Sequence, residues 1–332
     1  MTFPADGAAR FRRRQKKSGI SLPNICFRAG ILVLLLVVHL HAATSLKQGK
    51  FHTLSHQAFN VYFEKEDSTN AQKIFNILQA EYPPLSSSLQ TKVKAPIGVF
   101  MTANEDDFNR ATGGSIPHWG HAAADAGRQL IFLKSPRWTN STDDPRITII
   151  HELTHILVGQ AAGKAAVPRW LNEGLAIYYS GDQNYFAGVE TSQAQLADQL
   201  IPLKKINGLL AFQQTKAHLA YQESYLAVIF LVEQYGESSI AILLQALREK
   251  RTIEAAFEKA FGTSLAQFEL DWKAFLKERY KWAFLIEFDK LLWFFIIVLL
   301  FAAVTAVYFR RQKTLKKWAN EAAGAAENGK EI

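Results

Sequence analysis

The chain has 332 residues, 48% of them hydrophobic and 20% charged, which supplies a substantial core and excludes disorder as the default state. Its formal charge of +8 comes from the ends: seven Lys/Arg and one Asp in residues 1–30, six Lys/Arg and three acids in residues 310–332, leaving 25 basic and 26 acidic residues between them. Basic residues that flank apolar segments speak for membrane topology and against a nucleic-acid face, and Cys26, the single cysteine, rules out an internal disulfide or a thiolate site in the folded part.

The first apolar segment follows the basic run Arg10-Phe-Arg-Arg-Arg-Gln-Lys-Lys17 and continues without charge from Ala29 to Ala43. A basic start before an apolar run of about 15 residues, shorter than the roughly 20 that span a bilayer, reads as an export signal. Small residues at Ala42, Ala43 and Ser45 leave open whether it is cleaved or kept as a signal anchor.

Strands are predicted near Phe51–Phe63, Pro96–Met101 and Gln129–Lys134, and a helix near Ser68–Glu81 that the Pro83-Pro84 pair terminates. The segment Asp144–Gly159 is predicted helical, with Asp144 as N-cap, Pro145 at the first position, and Ile147, Ile150, Leu153, Ile156 and Leu157 at helical spacing. Pro168 separates it from a second helix at Trp170–Tyr179. Beyond residue 220 the pattern is purely helical: Tyr221–Tyr235, Ser238–Arg248, Ile253–Phe261 and Leu265–Tyr280, with Gly236 and Gly262 where C-caps belong.

Leu291–Phe309 is uncharged for 19 residues, about 28 Å of helix, with Trp293 and Tyr308 as interfacial aromatics and Arg310-Arg-Gln-Lys directly after it. This predicts a transmembrane helix. Holding both basic clusters in the cytoplasm divides the chain into a cytoplasmic start and signal at 1–45, an extracytoplasmic domain at 46–282, a membrane helix at 288–310 and a cytoplasmic tail at 311–332. The expected location is the cell membrane, with one C-terminal span if the signal is cleaved and two spans if it is not.

The chemistry lies in the first of the paired helices. His151-Glu-Leu-Thr-His155 places two imidazoles four residues apart, so that on a helix both leave one face and can bind one ion, while Glu152 stands about 100° around the axis, beside the metal, as general base. A helix so apolar would otherwise bury two imidazoles and a carboxylate at a cost that a metal removes. A catalytic zinc needs a third protein ligand and an open position, and Trp170-Leu-Asn-Glu173-Gly-Leu-Ala176 offers Glu173 on the next helix.

His151-Glu-Leu-Thr-His155 followed by Trp170-Leu-Asn-Glu-Gly-Leu-Ala176 resembles the gluzincin metallopeptidases of the peptidase MA-like class, and the resemblance extends over residues 95–280. It implies an α+β, zincin-like (thermolysin-like) domain with an N-terminal mixed sheet and a C-terminal helical half, set between the terminal membrane segments. It also implies one Zn2+ on His151, His155 and Glu173, with peptide hydrolysis in which Glu152 moves the proton of the attacking water to the leaving amine. Tyr221, with Tyr225 one turn later as second choice, is the candidate to steady the oxyanion. Gly127–Leu133 resembles the edge strand on which these enzymes lay an extended peptide, so His118 and His121 of the preceding loop are candidates for the cleft.

Two departures shape the expectation. Seventeen residues separate His155 from Glu173 and no Gly-x-Met-Glu-Asn segment is present to capture a free amine, which points from exopeptidase to endopeptidase action. The position four after Glu173, acidic in thermolysin-like relatives, is Ile177, so support for the metal-bound histidines has to come from elsewhere. The expected partners are a peptide or protein substrate near the membrane and the lipid bilayer itself, with no nucleic acid. The rival reading is a non-catalytic scaffold of the same fold that binds a partner at the membrane surface. A second rival is an intramembrane protease, against which Asp143, Asp144, Arg146 and Lys164 leave the apolar run around the motif too short a span, and Glu173 stands only 18 positions after His155.

Overall fold

Phe59, Val61 and Phe63 are buried while Asn60 and Tyr62 between them are half-buried, the period of two that makes a strand with one face on the core. This strand, β2 (Phe59–Phe63), follows β1 (His52–Ser55), and the two pair antiparallel, so the region expected near Phe51–Phe63 is a hairpin of two short strands. The computed structural model describes residues 51–114, 121–139, 144–185, 194, 199–211, 214–280 and 288–328. The apolar segment Ala29–Ala43, with the whole of 1–45, and His118 lie outside these residues.

β3 (Ile97–Thr102), β4 (Ala122–Asp125) and β5 (Leu130–Lys134) complete a mixed sheet in the order β1-β2-β3-β5-β4, parallel at β2/β3 and β3/β5 and antiparallel at β4/β5. Leu130–Lys134 is therefore an inner strand, and the edge strand beside it is β4. The sequence Ala-Ala-Ala-Asp carries almost no strand propensity, and it is the hairpin that holds it there: Asp125 accepts from the Arg128 backbone N–H and side chain, and Gln129 takes φ 56°.

Helix α1 (Ser68–Ser88) runs through Pro83 and Pro84 instead of stopping before them. Both prolines face solvent, where water can satisfy the freed carbonyls, while Leu85 and Leu89 beyond them are buried. Burial of two leucines, worth about 1.5–3 kcal/mol each, offsets the lost helix bonds. A short helix α2 (Glu105–Thr112) is capped by the Asn104 side chain, which accepts from the Asp107 N–H, and ends on left-handed Gly113.

The helical half comprises α3 (Pro145–Ala162), α4 (Arg169–Ser180), α5 (Gln214–Tyr235), α6 (Ser239–Lys250), α7 (Ile253–Phe261) and α8 (Leu265–Tyr280). α3 packs against α1, β4, α4 and α6. Trp170 of α4, Phe230 of α5, Phe257 of α7 and Phe268 of α8 form one aromatic core, with ring centroids 4.8 Å apart for Phe257 and Phe268 and 5.3 Å for Phe230 and Phe268. This core packs against α4 through Trp170, three residues before Glu173.

Helix α9 (Phe288–Asn328) is of another kind: its apolar side chains are exposed from Leu292 to Phe309, and Leu292–Glu321 is long and apolar enough to cross a membrane.

Candidate metal centre

The helix that carries the motif starts where its caps dictate. Asp144 accepts from the Arg146 N–H at 2.9 Å, Pro145 occupies the first turn, and the apolar positions Ile149, Ile150, Leu153, Ile156 and Leu157 face the core. His151 and His155 leave the remaining face, with side chains 21% and 14% exposed and rings 4.8 Å apart at 85°. At Gly159 a Cβ would lie 2.8 Å from the Ala126 Cβ, so glycine lets α3 press against the turn that follows β4. The edge strand thereby becomes the wall opposite the histidines.

Pro168 gives α4 no side-chain cap, and the Asn207 carboxamide substitutes by accepting from the Arg169 N–H at 2.9 Å. One turn on, Glu173 points at α3. Its Oε2 lies 3.6 Å from the Nε2 of His151 and 3.6 Å from the Nε2 of His155, while its Oε1 accepts from Arg169 Nη1 at 3.1 Å. The donor atoms of the three residues all fall within 4.8 Å of one another, so the group could bind a metal. Bonds of about 2.0–2.1 Å at tetrahedral angles set ligand atoms about 3.3 Å apart, so each histidine–glutamate pair, at 3.6 Å, meets that requirement with only slight contraction.

The electrostatics separate the two glutamates. Burial opposes the charge on Glu173, but His155, His151 and the Arg169 guanidinium outweigh it and hold the carboxyl at about 2. Glu152 is also buried and has no such set of donors; desolvation, with a push from Glu173 and despite His155, raises it to about 7. One carboxylate is held charged as a ligand should be, and its neighbour is poised to take up and release a proton.

These residues line a cleft of ≈ 400 Å³ together with His121, Ala122, Ala123 and Ala124 of the edge strand, Arg169, Tyr185 and Tyr221. Tyr221 is half-buried, and its hydroxyl pKa is pushed up by desolvation and by Glu173, so it is a proton donor at any physiological pH. Its ring lies 5.0 Å from that of Tyr185. Tyr225, the second choice, is half-buried, packs against the core and is not among the cleft-lining residues. His121 reaches the cleft through the chain entry to β4.

Arg169, Asn207 and Tyr185 escaped the sequence reading. Arg169 carried a signal, its place four residues before Glu173 on the same helix, which permits an i,i+4 ion pair. Tyr185 sits in a single turn of 3-10 helix after left-handed Gly181, where no periodicity marks it. Ile177 is fully buried, and the Nδ1 of His155 is buried without a hydrogen-bond partner among the described residues.

The family model for the peptidase MA superfamily matches residues 88–278. No curated protein matches the chain.

Proposed function

The chain belongs to the peptidase MA superfamily, and from that premise we propose that it is a membrane-anchored zinc peptidase that cleaves within polypeptides. The observation that carries the reading is the convergence of His151, His155 and the Glu173 Oε2 in a cleft that also holds Glu152. A zinc ion bound by these three residues would lend Lewis acidity to the scissile carbonyl and bring the pKa of a water toward about 7.

The remaining steps belong to the chain's own residues. Glu152, beside the ligand set in the cleft, removes the proton of the attacking water and returns it to the departing nitrogen. Tyr221 donates its hydroxyl hydrogen to the oxyanion as charge develops. Among the described residues β4 has no strand on its outer side, where backbone N–H and C=O groups are offered to an extended peptide, which positions the scissile bond over Glu152. The endopeptidase assignment rests on the missing Gly-x-Met-Glu-Asn segment for capture of a free amine.

Residues 46–282 form the extracytoplasmic peptidase domain in this reading, and α9 anchors it. Helix α8 ends at Tyr280 and α9 begins at Phe288, a separation that an extended chain bridges over at most about 30 Å. That short tether supports substrates at the membrane surface. The test is hydrolysis of internally quenched peptides by the full-length chain in detergent: turnover abolished by a chelator and by Glu152→Gln supports the reading, and turnover indifferent to both refutes it.

A further inference from the structure

Glu173 offers two oxygens, and the structure treats them differently. Oε2 stands 3.6 Å from both histidine Nε2 atoms, whereas Oε1 is engaged by Arg169 Nη1 at 3.1 Å. The arginine is itself anchored, because its backbone N–H is held by the Asn207 side chain at 2.9 Å, and its guanidinium, a third exposed, lines the same cleft. Glu173 is 7% exposed in its side chain, so little of the carboxylate meets bulk water.

From this division of the carboxylate we infer that Arg169 is a positioning residue that holds Glu173 as a one-oxygen ligand, so that the bound metal keeps its remaining position open. A carboxylate with both oxygens free tends to bind through both and raise the coordination number; a charged donor on Oε1 prevents it, and the i,i+4 geometry of α4 sets the orientation. The inference rests on the metal-site reading above and adds the residue that decides how Glu173 binds.

Zinc affinity of the full-length chain in detergent, measured by competition with a chromophoric chelator, and the visible spectrum of the cobalt-substituted protein test it together. Arg169→Ala is expected to weaken zinc binding by about 10- to 100-fold and to lower the cobalt absorption intensity as coordination number rises. Arg169→Met keeps the packing of the stem and serves where the alanine variant does not fold; the same two changes are expected of it. Wild-type affinity with a wild-type cobalt spectrum in a folded variant overturns the role of Arg169, even if the variant melts lower. A wild-type chain that binds no metal overturns instead the metal-site reading on which the inference rests.

Discussion

At Gly174 a Cβ would stand 2.3 Å from the backbone carbonyl oxygen of Ser224, so α4 and α5 touch backbone to backbone beside the third candidate ligand. Glycine is here a packing requirement, since its helical φ would suit alanine. In an open helix Gly→Ala would stabilise by about 1 kcal/mol, but here the contact atom is main chain and no rotamer relieves it. Gly174→Ala is expected to cost about 1–3 kcal/mol and lower the melting temperature by several degrees, with weaker metal binding because Glu173 moves with the helix. Circular dichroism melts of the full-length protein check this; a variant that melts at or above the wild type contradicts the close approach.

Glu152→Gln should separate chemistry from structure. The side chain is buried and keeps its shape, and the ligand set is untouched. Peptide turnover should fall by about 10²- to 10⁴-fold, while metal content and melting temperature stay at wild-type values. Kinetics alongside a zinc assay on one preparation decide the point.

Tyr221 and Tyr225 sit one turn apart on α5, yet only Tyr221 lines the cleft. If Tyr221 steadies the oxyanion, Tyr221→Phe lowers kcat by about 10²- to 10³-fold with little change in KM, and Tyr225→Phe leaves kcat near that of the wild type. Equal effects of the two would remove Tyr221 from the mechanism.

Glu223 is fully buried, and both its oxygens accept from the Ile201 N–H at 3.1 Å. Burial raises its pKa to about 8 against the opposing pull of that bond and of Lys273, with Glu269 adding to the rise. A folded-state pKa above the unfolded value of about 4.5 means the folded chain holds the proton more tightly. The contribution is thus fully present below about pH 4.5 and is lost as pH climbs through about 8, a change on the order of a few kcal/mol. Glu223→Gln keeps an acceptor for Ile201 and should flatten that decline, so that the variant is the more stable form at pH 9. Chemical denaturation at pH 5, 7 and 9 reads the slope directly.

The motif-bearing helix was legible because its signals are local: Asp144 and Pro145 begin it, the apolar spacing sets its face, and His151, Glu152 and His155 follow from helical geometry. Glu173 was legible for the same reason, one turn into a helix announced by Pro168. What escaped depends on contacts distant in sequence. The edge strand β4 is three alanines held by its neighbour β5, and no propensity distinguishes it from a loop. Pro83 and Pro84 stay helical because Leu85 and Leu89 are buried by other elements, a tertiary effect that overrides a strong local stop signal. Asn207 caps a helix 38 residues away, which no window of sequence reveals.

The central claim is that His151, His155 and Glu173 hold one zinc ion. Elemental analysis of the full-length protein, purified in detergent without added metal, alongside His155→Ala, tests it most directly. One zinc per chain in the wild type, absent from the variant, is the predicted result. A wild type without zinc, or a variant that retains it in full, would contradict the account.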